Sequence, residues 1–248
     1  MKARHRRRRA DRGVLLRLLS TLVIFGCVVA ALTMFFRVKV VEISGNVRYS
    51  AAQVQEAAAV ADGDNLFFLN KYAMADRIVA ELPYVVEAGI SRDLPDTLMI
   101  RIRECGTPLA VLEGDGAWLI SPSGKLVEYA ADPAGYIPVR GCVLRDPVVG
   151  GQASTDPEGR GESLTALLSA LEDTGMLEQV ESVSLEDRSS IRVEYGGRFT
   201  ILLPYGADYP YKLLAVAETL ADGKIQENMT GTLDATKDDK VFFRPGSR

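Results

Sequence analysis

Side chains that could support nucleophilic or acid–base catalysis are sparse in this chain of 248 residues. His5 is the only histidine, so no Ser-His-Asp or Cys-His arrangement is expected beyond the N-terminal stretch. The Ser-x-x-Lys spacing of penicillin-binding enzymes does not occur in the sequence. The adjacent acids Glu186-Asp187 and Asp238-Asp239 are the remaining candidates for glycosidase chemistry, although acids in polar turns are usually solvated. We therefore expect a protein without enzymatic activity.

Patterns for binding a metal or a cofactor are equally sparse. Asp234 and Asp238-Asp239 lack the spacing of a calcium loop, and Gly124-Lys125 lacks the flanking residues of a phosphate-binding loop. The cysteines do not have the spacing of a zinc site. Cys105 and Cys142 are predicted to be buried as small apolar side chains, with a disulfide between them as the alternative. No cofactor, metal or small-molecule substrate is expected.

The charge distribution divides the chain into a basic head and an acidic body. Residues 1–36 carry eight basic side chains and one acid, and because the whole chain has a net charge of −4, the remainder carries −11. Residues 18–36 form an uncharged run long enough to cross a bilayer as a helix. Lys and Arg favour the cytoplasmic flank of such a helix, so Arg6, Arg7, Arg8 and Arg9 predict a cytoplasmic N-terminus. These arginines are interpreted as topology determinants and not as a nucleic-acid site.

The alternative for the N-terminal segment is a secretory signal that is cleaved. A basic stretch followed by an apolar run is common to both kinds of segment. The run is long and ends in Met34-Phe35-Phe36, whereas Val29-Ala30-Ala31 is only a weak cleavage site. We therefore predict a basic cytoplasmic tail at residues 1–17 and a retained transmembrane helix at 18–36.

Hydrophobic periodicity after the span predicts a small α+β domain with the element order β-α-α-β-β. Ser50 and Gln53 have the spacing of a capping box, which predicts the start of the first helix, and Pro83 ends the second. The predicted elements are a strand at 38–43, helices at 50–61 and 70–82, and strands at 86–90 and 98–103. This order predicts a three-stranded sheet with two helices on one face.

Several segments of this region carry a resemblance to a known family. They are Ile-Ser-Gly-Asn at 43–46, Ser50 opening a helix, and Leu-Pro-Asp-Thr-Leu at 94–98 with its alternating strand, followed by Pro-Leu-Ala at 108–110. Together they resemble the POTRA domain of the FtsQ/DivIB family of bacterial cell-division proteins. One departure is Glu-Cys-Gly-Thr at 104–107, where the family usually has Glu-Arg before the proline. The resemblance implies a POTRA domain at 37–105.

The remaining residues, 106–248, predict a larger, mixed and β-rich domain. The predicted elements are a hairpin at 118–127, a strand at 137–141, a loop at 150–161, a helix from Leu164 to Gly175, strands at 180–185, 191–193 and 198–203, and a helix carrying Tyr211, Leu214 and Leu220. The segments at 231–234 and 240–245 resemble the closing strands of the same family's second domain. The fold class is therefore α+β throughout.

The resemblance implies a scaffold of the division machinery that binds other proteins outside the cytoplasm and supports septum formation and septal peptidoglycan synthesis. The implied partners are FtsL-like and DivIC/FtsB-like bitopic coiled-coil proteins, and the implied location is the cell membrane at the division septum, with the C-terminal region extracellular or periplasmic. The residues matched to the partner site are Thr232, Leu233, Lys240, Val241, Phe242 and Phe243. Because side chains alternate along a strand, one phenylalanine of the last pair is expected to face outward and the other inward.

Two functions of other classes remain open at this stage. An envelope assembly or secretion factor would also use POTRA domains, usually several in tandem or attached to a membrane barrel. A cell-wall enzyme or sensor is the other alternative, and the missing catalytic groups argue against the enzyme. The nearness of residue 243 to the last residue of the sequence leads us to expect a closing strand whose edge is uncovered.

Overall fold

The protein is described by a computed structural model that covers residues 4–156, 159–226, 228–237 and 240–246, with residues 4–13 described by their helical backbone alone. The chain forms two compact units. The first contains Met1–Arg77 and Ala88–Ile102, and the second contains Ile78–Glu87 and Arg103–Arg248. The domain boundary near residues 105 and 106 stays a prediction, and the segment 78–87 is a part of the second unit that the sequence did not indicate.

The first helix, α1, spans Arg4–Phe35. Its part Val14–Phe35 is apolar, unburied and, at 22 residues, about 33 Å long, which is enough to cross a membrane. The span predicted at 18–36 therefore begins four residues earlier in the structure, because Val14, Leu15 and Leu16 extend the apolar run past Arg17. This helix supports the prediction that the protein crosses the membrane once. The side chains of Arg6–Arg9 lie outside the described part of α1.

The predicted β-α-α-β-β order is confirmed. The elements are β1 (Val40–Ser44), α2 (Ala51–Ala58), α3 (Lys71–Glu81), β2 (Val85–Asp93) and β3 (Thr97–Glu104). The sheet has the order β1-β3-β2, and β1 runs parallel to β3. The central strand β3 buries Leu98, Ile100 and Ile102 on one face, as its alternation predicted.

The capping box at α2 is present, with the Ser50 hydroxyl accepting from the Gln53 N–H and the Gln53 side chain accepting from the Ser50 N–H. The predicted end of this helix was wrong by three residues. Ala59 adopts a left-handed conformation with φ 51°, which ends α2 at Ala58 although Ala61 continues the apolar pattern.

The conformation of Gly45 explains why a glycine occurs in the Ile-Ser-Gly-Asn segment at 43–46, one of the segments that carry the family resemblance. Its φ is +83°, and a Cβ atom at this position would lie 2.0 Å from the Ile102 carbonyl oxygen. Only glycine fits where the chain leaves β1 and passes so close to the backbone of β3.

Among its described residues from 103 onward, the second unit contains one large sheet, a two-stranded ribbon and two α-helices. Its strands are β4 (Leu109–Glu113), β5 (Gly116–Ile120), β6 (Leu126–Ala130), β7 (Ile137–Arg140), β8 (Val143–Leu144), β9 (Thr155–Asp156), β10 (Val180–Ser184), β11 (Ser190–Tyr195), β12 (Phe199–Pro204), β13 (Gly231–Asp234) and β14 (Phe242–Pro245). The nine-stranded sheet has the order β14-β13-β12-β11-β10-β7-β4-β5-β6, and β8 pairs with β9.

The helices of this unit are α4 (Arg160–Asp173) and α5 (Tyr209–Ala221), with a short 3-10 turn at Leu177–Gln179. Leu167 of α4 and Leu213 of α5 belong to the same buried core as Ile201 and Leu233 of the sheet. The helices therefore cover the face of the sheet to which these strand side chains point. The loop predicted at 150–161 was too long, because it contains β9 and the first residues of α4.

Lys125 is the least expected member of this unit's interior. It is 3% exposed, and its ammonium group donates hydrogen bonds to the carbonyl oxygens of Val79, of Leu82 at 3.1 Å and of Val85 at 2.9 Å. Burial lowers the pKa of Lys125 to about 8. These bonds satisfy carbonyl groups where α3 ends and β2 begins, and so bind residues 78–87 to the hairpin β5–β6.

Cys105 and Cys142 are buried, as predicted, and no disulfide joins them. Burial raises the pKa of the Cys142 thiol to about 11, so this side chain is a protonated, unreactive part of the interior at neutral pH.

Candidate partner-binding site

The strand β14 forms one end of the nine-stranded sheet, and β6 forms the other. Within the described residues, β14 pairs with β13 alone, in an antiparallel register that sets Leu233 opposite Phe243 and Asp234 opposite Phe242. One side of its backbone is therefore open. An open edge of this kind can accept a further strand from another chain.

The hydrogen-bond pattern identifies which backbone groups face the open side. The Gly246 N–H donates to the Thr230 carbonyl at 2.8 Å. Because every second residue of an antiparallel strand bonds to the same neighbour, the backbone groups of Arg244 and Phe242 also point to β13. The N–H and C=O groups of Phe243 consequently point to the open edge. Pro245 has the same orientation, but it offers no N–H to an added strand.

The two phenylalanines of β14 lie on opposite faces of the sheet. Phe243 is half-buried, packs against the core and contacts Phe199 edge-to-face with a centroid distance of 6.2 Å. Phe242 is 47% exposed and shares its face with Asp234, its neighbour across the strand pair. Phe242 is therefore the outward-facing member of the pair, and Phe243 is the inward-facing one.

A groove lies beside the open edge on the helix-covered face. It is lined by α5, by the segment that follows α5, by Phe243 of β14 and by the residue before β14; the lining includes Ala215, Glu218, Thr219, Ile225, Val241 and Phe243. The exposed side chains Tyr211 and Leu214 lie one helical turn before Ala215 and Glu218. Two exposed apolar side chains of α5 thus lie one turn away from residues that line the groove.

A buried carboxylate fixes the position of β14. One oxygen of Asp234 accepts from the backbone N–H and the hydroxyl of Thr236, and the other accepts from the Arg244 guanidinium at 2.7 Å. The Thr236 hydroxyl, together with its backbone N–H and the nearby Arg244 charge, lowers the pKa of Asp234 despite its burial. Asp234 therefore joins the turn after β13 to the edge strand.

The six residues predicted for the partner site have different environments. Leu233 is fully buried, so any contribution from it comes through the strand and not through its side chain. Thr232 and Val241 are half-buried, and Val241 lines the groove. Lys240 is exposed just before β14. Whether these residues bind a partner stays a prediction.

The sequence analysis missed the contribution of α5 to this site. Tyr211 and Leu214 were predicted to lie on a helix, but the side of the helix that they occupy was not predicted. Ile225 was not predicted to belong to the site. The spacing of Tyr211, Leu214 and Glu218 places them on one side of a helix. Only the contact of α5 with the sheet shows that this side of the helix lies outside the core.

The acids considered for catalysis have structural surroundings. Asp187 is exposed, and hydrogen bonds from the N–H and hydroxyl of Ser189 lower its pKa, which is the environment of a turn. Glu186 is also exposed. Asp238 and Asp239 lie outside the described residues. Among the side chains that the structure describes, no three acidic, histidine or cysteine residues are grouped as metal ligands.

Comparison with known proteins identifies the domain formed by β1, α2, α3, β2 and β3. Residues 36–104 match the family model described as "POTRA domain, FtsQ-type". The "Cell division protein FtsQ" of Corynebacterium glutamicum is 27% identical over 169 residues, which are 66% of this chain and 69% of that protein.

Two further relatives extend this comparison. The "Cell division protein FtsQ" of Geotalea daltonii is 24% identical over 222 residues, covering 86% of this chain and 77% of its own length. The "Cell division protein DivIB" of Clostridium acetobutylicum is 25% identical over 157 residues, covering 62% and 57%. The similarity therefore extends beyond the POTRA domain, into the unit that carries the open edge strand. Residues 36–104 thus form a POTRA domain of the FtsQ type, and the chain is similar to FtsQ and DivIB cell-division proteins over much of its length.

Proposed function

We propose that this chain is a non-enzymatic cell-division protein that holds other division proteins together on the outer side of the cell membrane. The names of its relatives support a role in division. In this role the N-terminus is cytoplasmic, the chain beyond α1 is extracellular or periplasmic, and the protein is enriched at the septum. There it supports septum formation and septal peptidoglycan synthesis.

The open edge of β14 is the observation that best supports a binding function. An incoming strand would pair with the outward N–H and C=O groups of Phe243, and main-chain bonds of this kind provide affinity without a catalytic group. Its side chains would alternate between Phe242 on one face and the groove lined by Val241 and Ile225 on the other. Exposed aromatic residues at such a position are typical anchors of protein interfaces.

The proposed partners are FtsL-like and DivIC/FtsB-like bitopic coiled-coil proteins. A short extended segment next to a helix would suit the two parts of this surface. The extended segment would pair with β14, and the apolar face of the helix would cover Tyr211 and Leu214.

Charge substitution of the two phenylalanines tests this proposal. Phe242→Asp is expected to weaken partner binding by about 2 kcal/mol or more, about 30-fold in Kd, with little effect on folding because the side chain is exposed. Phe243→Asp is expected to lower the melting temperature of the second unit, because this side chain packs against Phe199. Binding is measured with the purified partner pair and the full-length chain in detergent or nanodiscs.

Tyr129→Asp is the matched control, since Tyr129 is 51% exposed and lies on β6 at the opposite end of the same sheet. It should leave partner binding unchanged. Full binding by a folded Phe242→Asp variant would refute the β14 site. A deletion of residues 232–248 is less informative, because it also removes the core residue Leu233 and would unfold part of the unit.

A further inference from the structure

The loop between α2 and α3, together with the first turn of α3, carries the most exposed aromatic side chains of the first unit. Phe68 is 76% exposed, Tyr72 is 73% exposed, and Phe67 is 48% exposed. Beyond α1, these three are the exposed aromatic residues among the described residues of this unit. Large apolar surface concentrated in one loop indicates an interaction surface.

The loop is attached directly to the end of the membrane-spanning helix. The Asn65 side chain donates to the Leu32 carbonyl at 3.0 Å, and the Leu66 N–H donates to the Phe36 carbonyl at 2.9 Å. The Phe36 and Phe67 rings meet edge-to-face with their centroids 4.9 Å apart. The start of the loop is therefore fixed beside the last turn of α1.

This attachment defines the height of the loop relative to a bilayer. Val14–Phe35 is about 33 Å long, slightly more than a hydrocarbon core of about 30 Å, so its last turn lies at the boundary with the headgroups. Leu32, which accepts the bond from Asn65, is in that turn. The rings of Phe67 and Phe68 consequently belong at the depth where interfacial aromatic residues are found.

Two basic side chains accompany these rings. Lys71 is exposed and places its ammonium 5.3 Å from the centre of the Tyr72 ring, and Arg37 is exposed at the end of α1. Basic groups beside apolar side chains suit the phosphates of the headgroup layer.

We propose that residues 65–72, the end of this loop and the start of α3, insert Phe67, Phe68 and Tyr72 into the leaflet that surrounds the end of α1. The occupant of this surface is the lipid bilayer, because the surface is continuous with a helix that already lies in it. The insertion gives the part of the first unit that follows α1 a second attachment to the membrane next to the helix, and thereby restricts the tilt of that part relative to α1.

Fluorescence in lipid tests the insertion, with the full chain in nanodiscs that hold one copy each. Trp118, the only tryptophan, is replaced by phenylalanine, and Phe68→Trp or Tyr72→Trp introduces a single probe. Both probes are expected to emit at shorter wavelength than in water, and to lose emission when the discs contain phosphatidylcholine brominated near the headgroup end of its acyl chains.

Val47→Trp is the matched control, because Val47 is 93% exposed and follows β1 at the end away from α1. It should keep its emission in brominated lipid. Circular dichroism verifies that each variant is folded. Quenching of the position-68 and position-72 probes no greater than that of the control would overturn the proposal. A short-wavelength emission that appears only in discs with two copies would assign the surface to a second chain and would also overturn it.

Discussion

Replacing Lys125 with methionine separates the hydrogen bonds of its ammonium group from the packing of its aliphatic stem. Methionine fills a similar volume, so the substitution chiefly removes the donors to the carbonyls of Val79, Leu82 and Val85. With Lys125 only 3% exposed, water has little access to replace them. We expect the segment 78–87 to lose its attachment to the hairpin β5–β6.

The expected magnitude follows from those acceptors. A buried polar group left without a partner costs about 1–3 kcal/mol. The Leu82 carbonyl keeps the bond that it accepts from the Val85 N–H at 3.0 Å, so the loss falls chiefly on the carbonyls of Val79 and Val85. The variant also avoids the cost of burying an ammonium group, which offsets part of this loss. We therefore expect the second unit to lose about 3 kcal/mol of its free energy of unfolding, which is a large fraction of the roughly 5–15 kcal/mol typical of a domain.

The effect of Lys125→Met also depends on pH with a definite sign. Burial lowers the folded pKa to about 8 from its usual 10.5, so between these values the unfolded chain binds more protons than the folded chain. The stability of the wild type relative to the variant should therefore rise as the pH increases from about 8 to 10.5 and be constant below that window.

Urea unfolding of the full chain in detergent, followed by Trp118 fluorescence, measures the effect, because Trp118 lies on β5 within the same unit. Hydrogen exchange of residues 78–87 reports the predicted local loosening. Lys224→Met is the control, since solvent screens the exposed Lys224–Asp222 ion pair and its loss should leave the urea midpoint almost unchanged. The reasoning is refuted if Lys125→Met unfolds at the wild-type urea concentration and exchange at 78–87 is unchanged.

Three further predictions follow from the same structure. Asp234→Asn should lower the free energy of unfolding by about 2 kcal/mol at neutral pH. Because the folded pKa of Asp234 is lowered, the stability difference between the two proteins should disappear as the pH falls through that pKa, which acid titration of both proteins measures. Gly45→Ala should unfold the first unit, whereas Gly135→Ala, with positive φ but open space, should cost only about 1 kcal/mol in a melting experiment. A reporter fused after residue 248 should be active outside the cytoplasm, and neutral residues in place of Arg6–Arg9 should give mixed orientation; cytoplasmic activity of the unaltered fusion would contradict the topology.

Local sequence patterns were sufficient to predict most helices and strands of the first unit. The Ser50–Gln53 capping box and the alternation of β3 each depend on neighbours within a few residues, and both are present as predicted. The end of α2 was missed because Ala59 takes up a left-handed conformation that its residue type does not announce.

Long-range contacts account for what the sequence did not reveal. The burial of Lys125 depends on carbonyl groups 40 to 46 residues earlier, so its own neighbours gave no sign of it. The alternation of β14 predicted that one phenylalanine faces outward, but the assignment to Phe242 required the register with β13. The helical period likewise placed Tyr211 and Leu214 on one helix without showing that they remain exposed.

The order of strands in the large sheet has a consequence for how the protein is synthesised. The edge strand β14 is held by β13, and β13 pairs in parallel with β12 only after the chain has crossed over through α5. Parallel pairing through a crossover forms later than local hairpins, because the chain first loses the entropy of a long closed loop. The edge that we propose to bind the partner therefore forms only when β12, α5 and β13 are in place. Capture of a partner would then act as a check on folding quality, and an unfinished or damaged copy would be left out of the assembly.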